Sequence, residues 1–158
     1  MRAPTPGEIS DLAKLWYDGW QDAHSEVLPA QLAKHRTLDS FRCRLESDLA
    51  AVRVAGPDGQ PVGFSMIKGS ELYQLYVSTL VRGSGVAAEL LTDAEARLAA
   101  NCIRTAWLAC AIGNVRAKRF YEKHGWRYAG TMINELETPD GLFPLEVWRY
   151  EKNLLGGP

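Results

Sequence analysis

The residues best suited to chemistry are Arg82, Gly83, Ser84, Gly85, Val86 and Ala87, because an apolar run (72–77) leads into them and an alanine- and leucine-rich segment leads out. Strand, glycine turn and helix in that order make an anion site. Gly83 and Gly85 carry no Cβ to keep an oxyanion off the main chain, and the first free N–H groups of the following helix converge on the same point. The helix dipole contributes about half a unit of positive charge there, and Arg82 adds a formal one. Capture of a diphosphate is the expected chemistry. A P-loop would need lysine and a hydroxyl residue after its last glycine, where this chain has Val86 and Ala87. A dinucleotide-binding fold would need a third glycine early in a βαβ unit; here the loop falls mid-chain, followed by Ala87 and Ala88. A G-x-G turn alone is equally compatible with a plain structural turn.

The segments that must position this loop follow from hydrophobic period. Ile9, Leu12, Ala13, Leu15, Trp16 and Trp20 recur at helical spacing and predict a helix over 8–23. Pro29 opens a second, shorter helix to about residue 35, and Asp39 or Ser40 caps a third that carries Phe41, Leu45 and Leu49. From residue 51 the period becomes two: Val52 and Val54, a turn at 57–60, then Val62, Phe64 and Met66 predict a hairpin. Strand 72–77, helix 86–100, strand 105–111 and a helix capped by Asn114 and stopped by Gly125 form a βαβα unit, which favours one parallel strand pair in an otherwise antiparallel sheet. Strands over 126–135 and 145–152 close the chain, and the tail 154–158 is expected to be loose. The class is α+β.

At 158 residues, 46% hydrophobic and 23% charged, the chain suits a single domain, 1–158. It divides into a helical part (8–50), antiparallel strands (51–78), the βαβα core (79–124) and closing strands (125–153). A net charge of −1 gives no field favouring nucleic acid. Cys43, Cys102 and Cys110 have no metal or disulfide spacing, so reduced core thiols and no metal are expected. With no apolar leader and no run of membrane-spanning length, we expect a cytoplasmic protein without membrane contact.

Leu75, Tyr76 and Val77, the 82–87 loop, Asn114, and the run Phe120-Tyr121-Glu122-Lys123-His124-Gly125-Trp126 together resemble the GNAT superfamily of N-acetyltransferases. The resemblance is close over about 72–128. It implies a mixed, mostly antiparallel, splayed sheet with helices on both faces and a central parallel βαβα unit binding acetyl-CoA. The R-x-x-G-x-A pattern would hold the coenzyme's pyrophosphate through Arg82, Gly83, Ser84, Gly85, Val86, Ala87 and Ala88. Leu75, Tyr76, Val77, Asn114, Ala117, Phe120, Tyr121 and Lys123 would complete the coenzyme site. Main-chain N–H groups freed by a bulge near Tyr76 and Val77 would stabilise the oxyanion formed when an amine attacks the thioester.

Proton traffic then has candidates. The resemblance places Tyr121 as donor to the departing thiolate, and a phenol with pKa near ~10 stays protonated for that task. Glu71, on the face of Tyr73, Leu75 and Val77, is a candidate base for the ammonium; a solvated charge at a strand start is the other reading. Glu135 and His24 stand in reserve. Trp16, Trp20 and His24, with Tyr17, would line the acceptor side if the family geometry holds, although their spacing equally fits core packing. The acceptor is a small-molecule amine or a protein amino group, and a homodimer could form through the closing strands. A non-catalytic acyl-CoA sensor or scaffold is the alternative function.

Overall fold

The computed structural model describes residues 1–154. Helices α1 (Ile9–His24), α2 (Ala30–Ala33) and α3 (Leu38–Ser47) come first. They lead into β1 (Val52–Ala55), β2 (Gly63–Lys68) and β3 (Glu71–Val77). Then follow α4 (Val86–Ala100), β4 (Thr105–Ala111), α5 (Val115–Lys123), β5 (Arg127–Thr138) and β6 (Gly141–Asn153). The strands form one sheet of order β1-β2-β3-β4-β6-β5. All neighbours are antiparallel except β3 and β4.

That parallel pair is the feature that matters. Its only register partners are Glu71 and Trp107, after which the two strands diverge, leaving β3 unpaired on its β4 side through Val77. The splayed sheet expected from the resemblance is present. Two cores flank it. Trp16, Phe41, Leu45, Phe64 and Met66 bury α1 and α3 against β1 and β2. Leu91, Ala94, Leu98, Ala106, Leu108 and Trp126 bury α4 and β4 on the other side.

Several expectations are corrected. Thr37, not Asp39 or Ser40, caps α3, its hydroxyl accepting from the Ser40 amide; Leu49 falls past that helix in a separate 3-10 turn. The second helix is one turn long, with Pro29 as its cap. The bulge lies between Leu72 and Gln74, where Tyr73 is the extra residue opposite Met66 and Ile67, so it sits upstream of Tyr76 and Val77. Inserting one residue resets the period of two. Leu75 therefore joins Leu72 on the α4 side, while Tyr76 joins Tyr73 on the α1 side, and the predicted shared face of Glu71, Tyr73 and Leu75 does not exist. Of the tail expected to be loose, Leu154 is tied by its amide to the Arg104 carbonyl at 2.8 Å, and residues 155–158 lie outside those described.

One clasp went unread in the sequence. Glu8, 1% exposed, accepts from both terminal nitrogens of Arg2, from the Thr5 amide and hydroxyl, and from the Gly59 amide. The bond from Arg2 leads in pulling its pKa down to about 2. Since that is below the unfolded value, its contribution is complete above about 4.5 and fades as pH falls toward 2.

Candidate active site

The 82–88 loop has the form its sequence implies. Gly83 and Gly85 have φ of +79° and +91°, a backbone that side-chain-bearing residues rarely adopt, and a Cβ at either would meet no atom within 4 Å. The amides of Gly83, Gly85, Val86, Ala87 and Ala88 make no main-chain hydrogen bond among the described residues, while Gly85 accepts the first helical bond from Glu89. Ser84 differs from expectation: its amide and its hydroxyl both donate to the Val81 carbonyl, which takes it out of the donor set. Turn closure uses that group locally.

This loop opens on a cleft of about 510 Å³ whose walls include Leu75, Tyr76, Val77, Arg82, Gly83, Gly85, Ala87, Ala88, Asn114, Ala117, Phe120, Tyr121 and Lys123. Of the predicted coenzyme residues, only Ser84 and Val86 present no wall to it. Asn114 both caps α5, accepting from the Ala117 amide at 3.3 Å, and faces the cleft. At the mouth, the Asp22 carboxylate of α1 bonds Arg82 at 2.5 Å and Arg116 of α5 at 2.8 Å, so one acid bridges two arginines beside the loop. Those arginines hold the Asp22 pKa low, Arg116 foremost.

The cleft continues through the splay. A cavity of about 90 Å³ shares Ala23, Leu75, Tyr76, Asn114, Ala117 and Tyr121 with it, and has Cys110 on its wall. Beyond that lies a chamber of about 130 Å³, which shares His24, Tyr73, Gln74 and Tyr76 with this middle cavity. Tyr76 borders all three. α1 reaches it only because residue 19 is glycine: a Cβ there would stand 2.6 Å from the Tyr76 ring. A glycine inside an otherwise helical pattern was the available signal for this close approach.

Trp16, Trp20, His24 and Glu71 all border the chamber, as do Arg36 and Arg44. Tyr17 packs on the neighbouring core, and neither it nor Glu135 borders the chamber. Burial raises the Glu71 pKa to about 7, with Lys68 and Arg149 opposing, which puts its titration at neutral pH. Burial lowers His24 to about 4, so its ring is neutral, held by a 3.1 Å bond between Nδ1 and the Trp20 carbonyl. Burial also raises Tyr76 and Tyr121 above the ordinary phenol range and pushes Cys110 up to about 11. The middle cavity therefore presents a protonated phenol and a neutral thiol, the latter a poor nucleophile.

A deep anion cradle, a passage between diverging parallel strands and a chamber on the far side define an acyl-transferase-like architecture. The sequence pattern of the Acetyltransferase (GNAT) family matches residues 9–126, and the chain belongs to that family. Uncharacterized N-acetyltransferases of Mycobacterium tuberculosis and Mycobacterium bovis are 37% identical over 86 residues, which is 51% of this chain and 55% of theirs. The chain thus matches about half the length of these curated relatives. In fold, it resembles a GCN5-related N-acetyltransferase from Rhodopseudomonas palustris, with TM-score 0.73 and 20% identity over 96% of this chain and 93% of that one. The PaiA N-acetyltransferase of Thermoplasma acidophilum, solved in complex with coenzyme A, gives 0.66 and 17%, each chain covered to 96%. YncA of Salmonella typhimurium, solved with its cofactor acetyl-CoA, gives 0.71 and 12%, covering 99% and 94%.

Proposed function

We propose that this chain is an N-acetyltransferase, a single domain that moves the acetyl group of acetyl-CoA to an amine by direct attack. The observation that carries this reading is the row of adjoining cavities from an open diphosphate cradle, through the splay, to a separate chamber, with Tyr76 on the walls of all three and Tyr121 on those of the first two. The cradle suits the coenzyme: five free amides, the α4 dipole and two arginines face space that no side chain fills. Lys123 adds a cation to the same wall.

The bound thioester supplies the acetyl carbon, to which the amine nitrogen bonds as the carbon–sulfur bond breaks. Glu71, titrating near 7, accepts the proton that an ammonium must lose, directly or through water along the chamber. The unpaired edge of β3 at Leu75 to Val77 offers main-chain groups to the carbonyl oxygen as it gains charge. Tyr121, at the join of cleft and middle cavity, donates its phenolic proton to the departing sulfur. Cys110 is kept neutral, which favours direct transfer over an acyl-enzyme.

The test is to mix purified protein with acetyl-CoA and a broad set of amines and to follow thiol release with mass analysis of products. Amine-dependent release with an acetylated amine is expected. Coenzyme binding without release for every amine would make the chain a binding domain.

A further inference from the structure

The chamber beyond the splay has a charge pattern that the transfer reaction does not require. Arg36 borders it and is 6% exposed, yet its guanidinium makes a single hydrogen bond among the described residues, a long one of 3.4 Å to the Glu137 carbonyl. A guanidinium carries five N–H donors, so most of its capacity is unspent. Arg44 borders the same space, lies 4.4 Å over the Trp16 ring and donates to the Tyr73 hydroxyl at 2.6 Å. Neither arginine forms an ion pair with a carboxylate among the described residues, although most other arginines do. Burial, and then the like charge of Arg44, push the Arg36 pKa below the ordinary guanidinium value. Trp16 adds a further donor: its buried Nε1–H has no partner among the described residues.

Two adjacent, unneutralised cations, Arg36 buried and Arg44 half-buried, are costly unless an anion joins them. Glu71 does not fill that role, since the charges that act on it are Lys68 and Arg149. The chamber therefore has an acidic side and a separate guanidinium side. At about 130 Å³ it falls below the ~300–1,000 Å³ of drug-sized ligand sites, which suits a short molecule.

We infer that the acetyl acceptor is a small amine bearing a carboxylate, which Arg36 and Arg44 clamp while its nitrogen points back toward Tyr76 and the splay. This rests on the transfer reading and names its substrate class. Planar guanidinium forks match a carboxylate, and the bound anion fixes the amine's distance from the thioester. Glu71 then meets the ammonium end.

The experiment compares common α-amino acids with their own primary amides, and glycine with aminomethylphosphonate, as acetyl acceptors. The best acid should exceed its amide by about tenfold or more in kcat/KM, because an amide leaves the guanidinium pair unneutralised. Arg36→Gln and Arg44→Gln should bring that ratio toward one, mainly through KM, while the coenzyme dissociation constant stays within about twofold. If Arg36→Gln does not fold, Arg44→Gln and Arg36→Lys give the same readout. Amides used as well as acids, an acid preference untouched by both variants, or a better phosphonate would each overturn the carboxylate assignment. If no amine is acetylated at all, the transfer reading fails, and the clamp is judged by calorimetry of coenzyme-loaded protein with N-acetylglycine and its amide. Binding of the acid alone, lost in Arg44→Gln, would sustain the clamp; no binding would end it.

Discussion

The diphosphate cradle and the acceptor chamber sit on opposite sides of the splay and are built by opposite means. The cradle is local: one turn and one helix start, between Arg82 and Ala88, provide main-chain donors, and the two arginines at its mouth are already paired with Asp22. The chamber is non-local, drawing α1, the turn after α2, α3, β3, β4, β5 and β6 together around side chains whose charges remain unspent. A backbone site recognises the portion of a ligand that is common to many reactions. A side-chain site recognises what is particular to one. In the proposed reaction the chemistry falls between them, where Tyr76 borders both the cleft and the chamber and Tyr121 borders the cleft and the middle cavity.

Substitutions along this axis should separate the two sides. Tyr121→Phe is expected to have the largest effect, lowering kcat about 100-fold while leaving the coenzyme dissociation constant unchanged, as read by steady-state rates and calorimetry. A parallel loss of affinity would move Tyr121 from the chemistry into the cradle. Gly85→Ala acts on the cradle alone: it strains a residue at φ +91° and pushes a methyl group into the phosphate space. Coenzyme should bind about tenfold more weakly, with acceptor KM unaltered at saturating coenzyme. Glu71→Gln acts on the chamber side. In the parent protein, kcat should fall as pH drops through about 7, because the base is then protonated. The variant should be several-fold slower at pH 8, by about threefold to tenfold, and should lack that limb. Asp22→Asn should have the smallest effect, releasing Arg82 and Arg116 to the phosphates and tightening coenzyme about threefold at low salt. In high salt the gain should shrink, and a loss of affinity would show that Asp22 orients the arginines for the coenzyme.

The same contrast explains what could be read from sequence. Loop 82–88, the Asn114 cap, the Gly125 stop and Tyr121 are contiguous signals with local causes, and the structure places each on or beside the cleft. That Ser84 spends its amide and hydroxyl on Val81 does not show in residue types, because a turn's internal bonds leave no mark there. The position of the β3 bulge could not be seen either: inserting Tyr73 keeps an apolar strand apolar and only exchanges which face Leu75 and Tyr76 occupy. Arg36 and Arg44 belong to no motif in the sequence. Their surroundings are non-local: Arg36 meets the Glu137 carbonyl of β5, about a hundred residues later, and Arg44 meets Trp16 of α1 and Tyr73 of β3. The Arg2–Glu8 clasp shares that property through Gly59, and Glu8→Gln should cost about 2 kcal/mol of stability at pH 7.

The most direct measurement is a calorimetric titration comparing acetyl-CoA with S-acetylpantetheine, which has the same reactive end but no diphosphate. If the free amides of the 82–88 turn hold the paired phosphates, the truncated thioester should bind at least about 100-fold more weakly, a difference that Gly85→Ala narrows. Equal affinities for the two compounds would contradict the account.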